Sequence, residues 1–306
     1  KKKGSNFILF YDQPFMIMSF TTISSYFNCF NMRRIAIPVL VLFSVLLIST
    51  FLYDRGQKFR ITGIQEKETT RLQDAPPLHT YLDTTVNPFN TWWKNYKKSE
   101  DYGDVFKWNH YFDIYHRHFA KFRNKEMTLL EIGVRNGGSL KMWLDYFGPG
   151  IQIYGLDINA NAKRFEHKSQ GVNIIIGDQG NPQFWTKTLK TLPKFDIVID
   201  DGGHTMNQLK VTFDHLYDHV KPDGGIYLVE DLHTAYWPEY GGGFKKPETF
   251  IEYTKDLIDQ LNADHSRDKN LVVTDFTRCT QSMHVYDSIV VFEKSPHPKY
   301  QTVLSQ

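Results

Sequence analysis

From residue 128 to residue 292 the chain repeats one unit: a short, continuously apolar run, then a longer amphipathic stretch, then another apolar run. The runs fall at 128–133, 151–156, 172–176, 195–199, 225–229, 271–274 and 286–292, and helical stretches at 139–147, 208–220 and 247–262 separate most of them. Strands without polar alternation are buried on both faces, so the pattern predicts a doubly wound, mostly parallel seven-stranded α/β sheet with helices above and below. Such sheets bind ligands beyond the carboxyl ends of their strands.

The N-terminal part reads differently. Ile35 to Tyr53, IAIPVLVLFSVLLISTFLY, is uncharged and apolar, and at about 1.5 Å per residue it just spans a bilayer core of roughly 30 Å. Arg33 and Arg34 precede it and favour a cytosolic N-terminus, although Arg55, Lys58 and Arg60 follow closely. The expectation is a single transmembrane signal anchor at 35–53, preferred over a cleaved signal peptide because no small-x-small cleavage site stands out. That makes a single-pass type II membrane protein of the secretory pathway, Golgi by preference, with its catalytic domain in the lumen. Residues 1–34 are then a cytosolic tail, or sequence upstream of a natural start at Met32. Residues 54–99, polar with Pro76, Pro77 and Pro88, read as a stem, and 100–306 as the catalytic domain. The net charge of +2 argues against a nucleic-acid surface, and two cysteines, Cys29 and Cys279, make no disulfide framework.

Where the apolar runs end, polar residues collect. LLEIGVRNGGSL, 129–140, is a strand, a glycine-rich turn and a helix start, with Gly133, Gly137 and Gly138 allowing close backbone approach to a ligand. Its G-x-x-x-G-G spacing departs from the dinucleotide fingerprint G-x-G-x-x-G. The second run ends in Asp157, about 20 residues on, where a carboxylate accepts hydrogen bonds from ribose hydroxyls. The third ends in Asp178 and Gln179, polar groups able to read an adenine edge. Each acid alone is more readily a helix cap; three strand ends together favour a nucleoside ligand.

E-I-G-V-R-N-G-G-S, G-L-D-I and G-D-Q-G, with D-D-G-G-H at 200–204 and V-E-D-L-H-T-A-Y-W at 229–237, resemble a class I S-adenosylmethionine-dependent methyltransferase. The wider set is similar to the metal-dependent O-methyltransferases of macrolide deoxysugars, from about Trp108 to Lys294. The resemblance implies S-adenosylmethionine as cofactor, bound by Glu131, Gly133, Arg135, Gly137, Ser139, Asp157, Asp178 and Gln179.

The run 195–199 breaks off in Asp200, Asp201, two glycines and His204, and the next ends in Glu230 and Asp231. If the two strands are neighbours, about 4.8 Å apart, Asp201, Glu230 and Asp231 converge and repel unless a cation joins them. Oxygen ligands suit Mg²⁺ or Mn²⁺, and the resemblance implies the same three metal ligands. It also gives the general base, three residues after the first metal acid, which is His204; an imidazole titrates near neutrality and takes a hydroxyl proton. Asp200 is left out, since adjacent strand residues face opposite ways, and His233 ranks below His204. Tyr236, Trp237 and Tyr240 offer flat faces to a sugar, and Gly241 to Gly243 either hinge a lid or pack statically.

The expected activity is methyl transfer from S-adenosylmethionine to a hydroxyl of a sugar, within a glycan, with no nucleic acid as partner and homo-oligomerisation left open. The rivals are a methyltransferase of a small non-sugar hydroxyl compound, an NAD-linked oxidoreductase and a catalytically silent glycan-binding module.

Overall fold

In the computed structural model the described residues are 86–297 and 301–304. They lie within Asp83–Gln306, the second of the two units into which the chain divides. The expected tail and signal anchor, and the stem up to residue 85, fall outside them. Among the described residues no helix is long and apolar enough to cross a membrane.

The strands are β1 (Met127–Ile132), β2 (Ile151–Asp157), β3 (Val172–Ile176), β4 (Ile197–Asp200), β5 (Ile226–Val229), β6 (Thr280–Val285) and β7 (Val290–Lys294). They form one seven-stranded sheet in the order β3-β2-β1-β4-β5-β7-β6. β1 to β5 pair in parallel, and β7 runs antiparallel to both β5 and β6. The chain works outward from β1 to β3 and then returns to lay β4 on the other side of β1. Strand order reverses there, which opens a crevice at the carboxyl ends.

Residues alternate between two apolar layers. Leu129, Ile197, Ile199 and Leu228 pack with α1 (Pro88–Asn95), α2 (Tyr111–Phe119) and α3 (Gly138–Phe147) on one face. Leu130, Val198, Tyr227 and Val229 pack with α5 (Met206–Leu216) and α6 (Phe250–Leu261) on the other. Two shorter helices, α4 (Pro182–Thr188) and α7 (Asp275–Cys279), complete the domain.

Three expectations are corrected. The stem does not extend over 86–99: Asn87 caps α1 by accepting from Phe89 N, Pro88 opens the first turn, and Phe89 stacks on Tyr146 at 4.1 Å in the core. Residues 271–274 are not a strand, although they are apolar and β-branched. Thr274 instead starts α7, its hydroxyl accepting from Thr277 N while Thr277 bonds back to Thr274 N. The sheet resumes at β6, and of 286–292 only 290–292 are strand: 286–289 turn through Ser288, φ 64°, before β7 starts at Val290.

Candidate active site

β4 and β5 are neighbours with Asp200 beside Val229, so the two segments that leave them emerge side by side. Glu230 N bonds to Asp200 O at 2.9 Å, and Asp201 N to Ile132 O at 3.0 Å, which fixes the start of both loops to the sheet. A cavity of about 680 Å³ opens over these strand ends, a volume suited to a cofactor and part of a substrate. Arg135, Asp157 and Asp178 line one part of it, and Asp201, His204 and Asp231 another.

Three lining residues that are not glycine have left-handed backbones: Arg135 at φ 48°, His204 at 55° and Asp231 at 55°. Each such residue costs about 1 kcal/mol or more, a strain that gathers where a fold must aim side chains. Here it turns the Asp201, His204 and Asp231 ligand atoms inward, one from each lying within 4.8 Å of the others. His204 Nε2 is 3.8 Å from Asp201 Oδ1 and 3.6 Å from Asp231 Oδ2, while His204 Nδ1 is buried with no hydrogen-bond partner.

Behind this group stands Lys107, 3% exposed, whose ammonium bonds to Asp201 Oδ2 and, at 2.8 Å, to Glu230 Oε2. Burial opposes a charge on Lys107, but the two carboxylates outweigh it and hold its pKa above the ordinary value. Burial likewise pushes the Asp201 and Glu230 carboxyls up, with Lys107 offsetting part of the effect. Glu230 Oε1 accepts from Tyr115 and Asp231 Oδ1 from Tyr111, both at 2.7 Å. Each aspartate therefore keeps one oxygen toward His204, whereas both oxygens of Glu230 are engaged and its side chain is fully buried. A divalent cation fits between Asp201 and Asp231, whose two free oxygens are hard donors facing His204 Nε2. Glu230, the third expected metal ligand, is held by Lys107 and Tyr115 and does not face His204.

At the other end, Asp157 Oδ2 accepts from Arg135 N and Oδ1 from Asn159 N, each at 2.8 Å, leaving its outer lone pairs toward the cavity. Asp178 lines the cavity beside it, its Oδ1 accepting from Gly180 N. Gly133, φ 94°, is a true close approach: a Cβ there would lie 1.9 Å from Asp201 O. Of the expected cofactor contacts, Glu131, Ser139 and Gly137 do not line the cavity, whereas Gln179 does. Glu131 is fully buried, its carboxylate accepting from Ser139 Oγ at 2.8 Å and Trp143 Nε1 at 3.0 Å, and burial lifts its pKa to about 7. Ser139 is spent on that bond. Gly137, φ 73°, yields to the Phe165 ring. Gln179 is 5% exposed, its amide donating to Asp200 Oδ1 and Thr212 Oγ1 and accepting from Gly203 N. That bond also confirms that Asp200 faces away from the acids.

Trp237 and Tyr240 line the cavity as expected; Tyr236, half exposed, does not. Gly242 N and Gly243 N bond back to Trp237 O and Ala235 O, so the glycines form a pinned turn. Sequence reasoning did not single out Phe106, Lys107 or Trp108, nor Tyr111 and Tyr115 on α2 just after them. The choice of Tyr over Phe at these two positions, four apart, was the available signal, since a buried hydroxyl needs a partner. Trp108 stacks on His233 with ring centroids 4.5 Å apart, and the His233 ring in turn bonds to Ser288 Oγ at 2.7 Å.

No family model matches the chain. It is 38% identical over 191 residues to demethylmacrocin O-methyltransferase of Streptomyces fradiae, covering 59% of this chain and 47% of that protein. It is also 38% identical over 195 residues to mycinamicin VI 2''-O-methyltransferase of Micromonospora griseorubida, with the same coverage. The chain thus spans about half the length of these curated relatives. Among solved structures, the MycE methyltransferase of the mycinamycin biosynthetic pathway, in complex with Mg, SAH and mycinamycin VI, superposes with a TM-score of 0.59 at 31% identity. That match covers 71% of this chain and 57% of the other. With the sheet order, the crevice and the acid-lined cavity in place, the described domain has the fold of the MycE methyltransferase and is similar in sequence to these O-methyltransferases.

Proposed function

We propose that this domain transfers a methyl group from S-adenosylmethionine to a hydroxyl of a sugar, with a divalent cation, Mg²⁺ or Mn²⁺, held by Asp201 and Asp231. The carrying observation is that Asp201, His204 and Asp231 converge in the same cavity as Asp157 and Asp178, each at or just beyond the end of its strand. The names of the relatives, all sugar or macrolide-sugar O-methyltransferases, support the same reading.

When bound, the cation supplies Lewis acidity toward the acceptor hydroxyl. Asp157 would hold the ribose and Asp178 the adenine end of the methyl donor, in the cavity that His204 also lines. The acceptor oxygen attacks that methyl carbon in line as the carbon–sulfur bond breaks, giving a methyl ether and S-adenosylhomocysteine. The hydroxyl proton passes to His204 Nε2, which faces carboxylate oxygens of Asp201 and Asp231 and so ends paired rather than as an isolated charge. No covalent enzyme intermediate is required, only alignment of two bound molecules. Glu230, bonded to Lys107 and Tyr115, is a positioning residue for the acids. Trp237 and Tyr240 form the apolar wall for the sugar ring.

The acceptor we favour is a sugar within a glycan, met in the secretory lumen by a chain anchored through residues 35–53. The apolar run of that segment supports this reading. Incubating the chain with labelled S-adenosylmethionine, Mg²⁺ and a panel of free sugars and glycans tests the activity, and cell fractionation with protease protection tests the lumenal topology. Transfer to a sugar hydroxyl that stops with chelator and falls about a thousandfold in His204→Ala, with cofactor binding kept, is the expected result. Transfer only to non-sugar acceptors, or full activity in His204→Ala, defeats the reading.

A further inference from the structure

We propose that His118, His284 and Glu293 form a second metal site, outside the methyl-transfer cavity, that takes a borderline divalent ion, Zn²⁺. The three residues come from α2, β6 and β7, and none of them lines the cavity. One ligand atom from each lies within 4.8 Å of the other two.

Sheet register assembles the cluster. In the antiparallel pair, Ser282 of β6 stands opposite Glu293 of β7, and His284 follows Ser282 by two residues, so all three side chains share one face. His118 comes down on that face from the buried side of α2 and is 3% exposed. Its Nδ1 sits 2.8 Å from Glu293 Oε1, and its ring packs edge-on against His284 with centroids 4.7 Å apart. His284 Nε2 is 3.8 Å from Glu293 Oε2 and 3.0 Å from Ser282 Oγ.

Two imidazoles and a carboxylate are a donor set that Zn²⁺ takes in tetrahedral geometry, with one position left for water. Mg²⁺ prefers oxygen ligands and would not compete well here. The supporting bond is also present: His118 Nε2 lies 2.9 Å from Tyr286 Oη, the kind of partner that fixes a ligating ring. His284 and Glu293 are partly open to solvent, which gives an ion its way in, while His118 closes the inner side. An ion held there would staple α2, which carries Tyr111 and Tyr115, to the antiparallel edge of the sheet.

The test uses the full chain carrying Asp201→Asn and Asp231→Asn, so that the cavity acids take no metal, stripped with chelator and titrated with Zn²⁺. We expect one equivalent bound, and Co²⁺ in its place to give the visible absorption of a low-coordinate site with nitrogen ligands. Adding His284→Ala should weaken Zn²⁺ binding at least tenfold, and so should Glu293→Gln, which keeps an acceptor for His118 and preserves the fold. Failure to bind Zn²⁺, or binding unchanged by both substitutions, overturns the proposal.

Discussion

Lys107 Nζ donates to Glu230 Oε2 at 2.8 Å, with the two side chains only 3% and 0% exposed. The same ammonium bonds to Asp201, so one buried cation balances two buried carboxylates from neighbouring strand ends. Lys107→Met would leave both anions without it, at a cost of about 3–5 kcal/mol, which is the scale for breaking a buried ion pair from one side. Lys107→Met with Glu230→Gln should recover much of that loss, because a neutral amide replaces the stranded charge. Chemical denaturation at pH 8 measures both, and a Lys107→Met chain as stable as the parent would show that the pair does not hold the site together.

Glu131 carries the pH dependence of the glycine turn. Burial raises its pKa from the model-compound value of 4.5 to about 7, so the folded state binds the proton more tightly than the unfolded chain does. Its contribution to stability is therefore complete below about 4.5 and disappears as pH rises through about 7, a swing of about 3 kcal/mol. Glu131→Gln keeps an acceptor for Trp143 Nε1 and lets the Ser139 hydroxyl turn to accept from the amide. The variant should match the parent near pH 4.5 and exceed its stability above pH 7. A stability difference that stays flat from pH 4.5 to 8 would mean that the carboxyl titrates normally.

Asp157 both faces the cavity and accepts from Arg135 N, the first of the three strained residues there. Removing the carboxylate in Asp157→Ala takes away charge-assisted bonds worth about 1.5–3 kcal/mol, so S-adenosylhomocysteine should bind roughly tenfold to a hundredfold more weakly. Calorimetric titration reads this directly. Mg²⁺ affinity measured in the same variant should hardly change, since the acids at Asp201 and Asp231 are untouched. Equal loss of both would make Asp157 a fold determinant rather than a nucleoside contact.

The parallel half of the sheet was legible because β1, β4 and β5 are almost wholly buried and β2 and β3 are mostly apolar. Beyond β5 that signal fails. β6 is an outer strand whose residues Thr280–Val285 are mostly polar and only partly covered, whereas the more apolar 271–274 lacks a strand partner and goes into a helix cap. At the site, Asp201 and Asp231 were readable from the strand ends because backbone pairing brings them together whatever the side chains do. The direction of Glu230 was not readable, because it depends on Lys107 and Tyr115, which lie 123 and 115 residues away in sequence. A lone lysine between Phe106 and Trp108 gives no sign that the fold will bury it. Glu131 was no easier to read, since a polar residue at a strand end serves equally to reach a ligand or to satisfy a buried neighbour.

Gly133 and Gly224 separate two reasons for a left-handed glycine. Both have positive φ, 94° and 79°, but a Cβ at Gly224 meets nothing within 4 Å, while at Gly133 it would stand 1.9 Å from Asp201 O. Gly224→Ala pays only the backbone preference, about 1–2 kcal/mol, and should leave methyl transfer at the parent rate. In Gly133→Ala the clash is with main chain, which cannot rotate away as a side chain would. The loop carrying Asp201 must then move, and with it the spacing to Asp231 and His204. Cofactor binding and Mg²⁺ binding should therefore fall together in Gly133→Ala, by tenfold or more each, although the residue bears no side chain. Loss of cofactor affinity alone would mean that the turn and the acid loop move independently, and that the close contact between them does not couple the two halves of the cavity.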